Sequence, residues 1–100
     1  MTLCIHIARR VTRNGRQVKD DRHLPFPTSG WQPPGGSKRY TLQAVAVRIG
    51  RHVTAGHYVA YIRQGRSWYL CDDSVKPLEV TLQSVKRSKA YILFYQQDGV

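Results

Sequence analysis

Two apolar, aromatic-rich runs in the second half of this sequence constrain the fold more than any other feature. The runs HYVAYIR and WYLC are separated by only four residues, QGRS. β-Branched and aromatic residues favour strands, and a glycine in a short connection supplies the backbone angles of a tight turn. The sequence therefore predicts an antiparallel hairpin over residues 57–72, with its turn at Gly65.

Three other short segments have the pattern of strands. Apolar and polar side chains alternate over residues 3–7, so that Leu3, Ile5 and Ile7 are predicted on one face. Residues 40–47 also alternate but are mostly apolar on both sides, which is typical of a central strand, and residues 90–95 form a continuous apolar run. Within residues 40–47, strict alternation predicts one face of Tyr40, Leu42, Ala44 and Ala46 and another of Thr41, Gln43, Val45 and Val47.

Turn and cap residues define the remaining segments. The Asn14-Gly15 pair is flanked by polar residues and predicts a short exposed hairpin. Residues 24–38 hold four of the five prolines and three of the eight glycines, so this stretch is predicted to be an ordered loop. The glycine-bounded residues 50–56 are predicted to form a mobile loop. Thr81 is a candidate N-cap for a short helix.

Length and pattern together predict one small domain of the mainly β (α+β) class, an antiparallel sheet with a short helix. The 100 residues carry sixteen Lys and Arg against six Asp and Glu, a formal charge of +10. A charge of this sign favours anionic partners, or it belongs to part of a larger protein whose acidic part lies outside this chain.

Cys4 and Cys71 are widely separated and follow no paired spacing, which favours a reducing, intracellular location. No apolar run approaches the roughly 20 residues that span a bilayer, and neither a signal peptide nor an anchor is predicted.

His57 stands where the glycine-bounded loop meets the first strand of the predicted hairpin, and three interpretations of it are open. It is a core histidine, a metal ligand, or a proton carrier at the end of a strand. A turn at Gly65 would place His57 opposite Asp73 and residue 58 opposite Asp72, with a slip of one or two residues allowed. Either carboxylate would then be within reach of the imidazole. The histidines and cysteines share no short ligand spacing, so neither a metal site nor a cofactor is predicted.

A histidine held by a carboxylate has a chemical use. The carboxylate fixes the tautomer of the ring and stabilises the imidazolium, which leaves the other nitrogen to take a proton from a nucleophile. Gly56 fits this interpretation, because a residue without a side chain lets an extended substrate backbone pass close to the ring.

Several blocks of the sequence, in order, resemble the C-terminal, histidine-containing portion of the ubiquitin-specific proteases, which are papain-like cysteine deubiquitinases. These blocks are YTLQAVAVRIG, AGHYVAYIR, WYLCDDSV and AYILFY, preceded by LCIHIARR and LPFP, so the resemblance covers nearly the whole chain. It implies the C-terminal sheet portion of a papain-like fold. It also implies hydrolysis of the bond after ubiquitin's C-terminal glycine, with ubiquitin and ubiquitinated proteins as partners.

By this resemblance His57 is the general base and Asp72 the acid that orients it. Asp73 would lie beside the pair and help to bind the oxyanion. Gly56 and Tyr58 would contact the substrate, with Gly56 lining the channel for the Gly-Gly tail. The loop over residues 51–55 would close over that tail, and the region of residues 31–38 would be a second such loop.

The sequence also departs from the family pattern. No stretch resembles the Asn-Thr-Cys-Tyr block that carries the nucleophile, so the chain is expected to need a missing N-terminal catalytic half and to be inactive alone. Alignment from Val75 backward would put Cys71 at the orienting position in place of Asp72. The motifs LCIHI, DDSV and LQSV are similar to those of the mitochondrial outer-membrane member, so that location is an alternative to a cytoplasmic one.

Two other functions compete with a deubiquitinase segment. The absent nucleophile block leaves open a non-catalytic ubiquitin-binding module or pseudoenzyme. The basic residues leave open nucleic-acid binding, which is less favoured because the sequence has no groove-reading helix or RNA-binding signature. The basic residues in question are Arg9, Arg10, Arg13, Arg16, Lys19, Lys86, Arg87 and Lys89.

Overall fold

A six-stranded antiparallel sheet forms the body of the chain. The computed structural model describes residues 2–7, 10–19, 25–49, 57–72 and 75–99. The strands of this sheet lie in the order β1-β8-β4-β5-β6-β7, and β2 and β3 form a separate two-stranded sheet. The elements are β1 (Thr2–His6), β2 (Arg10–Arg13), β3 (Arg16–Lys19), β4 (Tyr40–Ile49), β5 (His57–Gln64), β6 (Ser67–Asp72), β7 (Val75–Val80), α1 (Leu82–Lys86) and β8 (Ala90–Gln97). The predicted fold class is confirmed.

The small hairpin and the first strand follow the sequence prediction. Asn14 and Gly15 connect β2 to β3 with φ of 52° and 74°, and two positive φ values in a two-residue connection define a type I′ turn. In β1, Leu3 and Ile5 pack against the core, while Cys4 and His6 are exposed. Ile7 also packs against the core, just beyond the end of the strand.

The central position of β4 is confirmed, but its predicted faces are wrong. β4 pairs with β8 on one side and β5 on the other, and its register with β8 shifts between Leu42 and Ala44. A β-bulge of this kind adds one residue to a strand and reverses the alternation beyond it. Leu42 and Val45 are consequently both fully buried, although strict alternation placed them on opposite faces.

The hairpin over residues 57–72 is confirmed, with one correction to its register. Gly65 and Arg66 connect the strands, and Gly65 has a φ of 61°, the position that glycine takes in a type II′ turn. Ala60 pairs with Cys71, one residue away from the predicted pairing of residue 58 with Asp72. The turn is centred between residues 65 and 66 and not on Gly65, which moves every pair by one position.

A strand and a helix follow the hairpin. β7 pairs with β6 at the edge of the sheet and was not predicted, because Pro77 argues against a strand. Proline is tolerated on an edge strand, where its missing N–H disrupts no ladder on the open side. α1 confirms the predicted helix: the Thr81 side chain accepts a hydrogen bond from the Ser84 backbone N–H, and Val85 is fully buried.

The loop over residues 25–39 lies against the core face of the sheet, as an ordered loop. Trp31 and Tyr40 exchange two backbone hydrogen bonds, of 2.8 and 2.7 Å, and the Trp31 ring lies 4.9 Å from that of Tyr95. The Tyr95 hydroxyl donates a hydrogen bond of 2.7 Å to the Pro27 carbonyl oxygen. Burial raises the pKa of Tyr95 from 10.0 to about 12, because the phenolate would be poorly solvated there.

The core lies between the sheet, α1 and this loop. Its buried members are Tyr40, Leu42, Val45, Val47, Val59, Trp68, Val85, Ala90, Leu93 and Tyr95. Among the residues that the structure describes, no helix has the length and apolar character needed to cross a bilayer.

Candidate active site

His57 is the first residue of β5 and lies at one end of the hairpin. It pairs across the sheet with Ile49, the last residue of β4. Its side chain is 51% exposed, so the ring is open to solvent while the backbone beneath it is fixed by the sheet. A histidine in this position is not a core histidine, which removes one of the three interpretations left open by the sequence.

Asp72 is the last residue of β6 and lies beside His57. Extension of the hairpin register by one pair sets Asp72 opposite Val59, so His57 is its diagonal neighbour on the same face. His57 Nε2 and Asp72 Oδ1 are 2.8 Å apart, and the Asp72 side chain is 34% exposed. The predicted contact between this ring and an acid of the facing strand is therefore present.

The contact determines which ring nitrogen carries a proton. An ionised carboxylate only accepts hydrogen bonds, so Nε2 of His57 is the donor and carries hydrogen. In the neutral ring Nδ1 then has a lone pair, and none of the described residues hydrogen-bonds to it. The pair is thus arranged to accept a proton at Nδ1 and to hold the resulting imidazolium against a carboxylate.

Tyr58 and Cys71 line an open cavity of about 420 Å³ next to the pair. Tyr58 is 51% exposed, and its ring lies 5.8 Å from that of Tyr91. The Tyr91 ring also meets His6 edge to face at 4.6 Å. Sequence reasoning did not find this aromatic cluster, because β1, β5 and β8 come together only through long-range pairing.

Cys71 is half-buried and carries a free thiol. It precedes Asp72 in β6, so its side chain points to the other face of the sheet, alongside its cross-strand partner Ala60. In this structure it is Asp72 that contacts the His57 ring.

Three predictions about the site fall outside the described residues. They concern Gly56, Asp73 and the loop over residues 51–55. In the part of the chain that is described, no group of three His, Cys, Asp or Glu side chains lies close enough together to hold a metal ion.

Solved structures that share this fold are catalytic domains of ubiquitin-specific proteases, which are papain-like cysteine hydrolases. A chain of the SAGA DUB module of Ubp8, Sgf11, Sus1 and Sgf73 bound to monoubiquitin superimposes with a TM-score of 0.87 and 26% identity over 99% of this chain. The same module bound to ubiquitin aldehyde gives a TM-score of 0.81. This chain covers 24% and 25% of those two chains.

The sequence comparisons agree with the structural ones. The ubiquitin carboxyl-terminal hydrolase family profile matches residues 1–95, and this chain belongs to that family. It is 34% identical over 96% of its length to ubiquitin carboxyl-terminal hydrolase 23 of Arabidopsis thaliana, and 33% identical over 93% to ubiquitin carboxyl-terminal hydrolase 3 of Homo sapiens. It spans only 12% and 20% of those relatives. The resemblance to the mitochondrial outer-membrane member finds no support in these matches.

Proposed function

We propose that this chain is the C-terminal part of a ubiquitin-specific protease catalytic domain, in which His57 is the general base and Asp72 orients it. The reaction is hydrolysis of the peptide or isopeptide bond after the C-terminal glycine of ubiquitin. The observation that carries the proposal is the 2.8 Å contact between His57 Nε2 and Asp72 Oδ1 at the open end of the β5–β6 hairpin. Family membership supplies the substrate class.

The chemistry requires a cysteine thiol facing Nδ1 of His57. In the first step the thiol proton moves to Nδ1, and the thiolate attacks the glycine carbonyl carbon. The amine of the leaving group then takes the proton from the imidazolium as the carbon–nitrogen bond breaks, leaving a thioester. Water, deprotonated by the same nitrogen, hydrolyses the thioester and regenerates the thiol. Throughout, the Asp72 carboxylate holds the ring through Nε2–H.

The nucleophile comes from a segment outside this chain. The sequence contains no Asn-Thr-Cys-Tyr block, and the chain spans a fifth or less of the two relatives described above. We therefore expect the chain to be inactive by itself and to act with a nucleophile-bearing segment. The free thiols of Cys4 and Cys71 are consistent with an intracellular location for the assembled protein.

Ubiquitin is the proposed partner, and its C-terminal tail would run past the start of β5. The similar SAGA module was solved with monoubiquitin and with ubiquitin aldehyde, which supports this choice. Tyr58 is exposed next to His57 and would contact the tail. Gly56 and Asp73 are assigned by family resemblance alone, to the tail channel and the oxyanion respectively.

A chimeric enzyme tests the proposal. Residues 1–95 would replace the aligned segment of the human relative, with which the chain is 33% identical. Hydrolysis of a fluorogenic ubiquitin C-terminal amide and binding of ubiquitin would both be measured. His57→Ala should lower kcat by about 10²- to 10⁴-fold, because a general base contributes an acceleration of that order. Its affinity for ubiquitin should stay within about twofold, since only the ring is removed.

His6→Ala is the matched control. His6 is an exposed histidine of the same sheet, in contact with Tyr91 and outside the proposed pair. It should leave kcat close to that of the parent chimera. Hydrolysis by the His57→Ala chimera at the parental rate would reject the base. A parent chimera that binds ubiquitin without hydrolysing the amide would favour the non-catalytic binding module.

A further inference from the structure

A second cavity, of about 460 Å³, lies at the opposite end of the hairpin from His57. It is bounded by the β5–β6 turn, by the connection from β7 to α1 and by the start of the loop over residues 25–39. Arg63 is six residues along β5 from His57, which corresponds to roughly 20 Å at the rise of a strand. The cavity is therefore separate from the proposed active site.

Two arginines, Arg63 and Arg66, are among the residues that line this cavity. The Arg63 Nε–H donates to the Gly65 carbonyl oxygen at 2.9 Å, which holds the head group in place and leaves its terminal N–H groups for another acceptor. Within the described residues neither arginine forms an ion pair. Glu79 is the one carboxylate among the lining residues, and it partly offsets the positive charge.

Hydroxyl groups complete the polar lining, and they divide into two sets. Thr41 donates to Asp98 and Thr81 caps α1, so both are engaged. Thr28, Ser29 and Ser67 also line the cavity and have no side-chain hydrogen-bond partner among the residues that the structure describes. The floor is apolar, formed by the buried Trp68 and Leu42.

We propose that this cavity binds a phosphate group. Two arginine head groups match the two negative charges of a phosphate group, and the guanidinium fork pairs with phosphate oxygens through parallel N–H bonds. The three hydroxyl groups that lack a side-chain partner add neutral donors, and a phosphate group offers more acceptor oxygens to such donors than a carboxylate does. The ligand is either free phosphate or a phosphorylated side chain, and the two share this chemistry.

The test is a titration of this chain, labelled with ¹⁵N, with inorganic phosphate and with O-phosphoserine at constant ionic strength. Shifts should be confined to residues of the β5–β6 turn, of the β7–α1 connection and of the start of the loop over residues 25–39. Tighter binding of O-phosphoserine would identify a phosphorylated side chain as the source, and tighter binding of inorganic phosphate would identify the free ion. Acetate at the same concentration should produce neither set of shifts.

Charge variants make the assignment specific. Arg66→Gln should weaken phosphate binding about tenfold, because it removes a charged hydrogen-bond donor. Glu79→Gln should tighten it, because it removes a like charge from the lining. Arg87→Gln is the matched control: Arg87 is exposed beyond α1 and outside the cavity, so phosphate affinity should be unchanged. Equal weakening by Arg66→Gln and Arg87→Gln, equal binding of acetate, or no shifts in a chain with native spectral dispersion would each overturn the proposal.

Discussion

Tyr95→Phe tests how the loop over residues 25–39 is held to the sheet. The Tyr95 ring is fully buried, and its hydroxyl donates to the Pro27 carbonyl oxygen at 2.7 Å. The substitution removes one oxygen and keeps the ring, so it deletes this hydrogen bond without opening a large cavity. The carbonyl oxygen of Pro27, an exposed residue, then loses this donor.

The expected loss is that of one hydrogen bond whose acceptor water can reach after the substitution. A typical hydrogen bond contributes about 0.5 to 1.5 kcal/mol net to stability. The free energy of unfolding of Tyr95→Phe should therefore be about 0.5 to 1.5 kcal/mol lower than that of the wild type near neutral pH. The pH dependence of this difference is a second, independent expectation.

Burial raises the pKa of Tyr95 from 10.0 to about 12, so the folded chain keeps a proton that the unfolded chain releases between these pH values. The free energy of unfolding falls with rising pH wherever the native state binds more protons. The contribution of Tyr95 is complete below about pH 10 and is lost as the pH rises toward 12. At 1.36 kcal/mol for each pKa unit, about 2 kcal/mol is lost by pH 11.5.

Urea unfolding of both proteins at pH 8.5 and pH 11.5 measures this effect. The groups other than Tyr95 titrate in both proteins and cancel in the difference between them. From the lower to the higher pH, the difference in free energy of unfolding between wild type and Tyr95→Phe should move by about 2 kcal/mol in favour of Tyr95→Phe. A gap that is the same at both pH values, or no gap at pH 8.5, would refute the reasoning.

Other single changes test the helix, the turn and the proposed site. Val85→Ala should lower the free energy of unfolding by about 2 kcal/mol, since a fully buried side chain loses two methyl groups. Leu82→Ala, at a 43% exposed position, should lower it by less than about 1 kcal/mol. Equal losses for the two variants in unfolding followed by circular dichroism would contradict the packing. In Gly65→Ala the added Cβ would have no atom within 4 Å, but the backbone φ of 61° is unfavourable for alanine. The free energy of unfolding should fall by about 1 to 2 kcal/mol in the same assay, and an unchanged unfolding midpoint would contradict the turn. In the chimeric enzyme, Asp72→Ala should lower kcat by about 10²-fold, because the His57 ring is no longer held in position. Asp72→Asn should lower kcat by less, because its amide oxygen still accepts a hydrogen bond from the ring. An equal loss of kcat in the two variants would argue against the orienting role.

Local signals in the sequence predicted the parts of the fold that depend on neighbouring residues. The type I′ turn at Asn14-Gly15, the hairpin over residues 57–72 and the Thr81 cap each rest on a few adjacent residues, and each is present. β7 was not predicted because Pro77 lowers strand propensity, and only its edge position in the sheet makes proline acceptable.

The bulge in β4 shows why the faces of a strand are harder to predict than the strand itself. The residues around Gln43 contain no glycine or proline to mark a bulge, and the shift is visible only in the pairing with β8. Because side chains alternate with a period of two, one extra residue moves all later side chains to the other face. Val45 and Val47 are buried for that reason, and no local pattern in β4 indicates it.

The same period of two makes the turn at Gly65 and Arg66 decisive for the proposed active site. The register predicted from the sequence set Asp73 opposite His57, which would have placed Asp72 on the other face. The observed pairing of Ala60 with Cys71 shifts the register by one residue and puts Asp72 on the face of His57 as its diagonal neighbour. The length of a two-residue turn, roughly 20 Å away along the strand, thus determines that Asp72 lies on the same face of the sheet as His57.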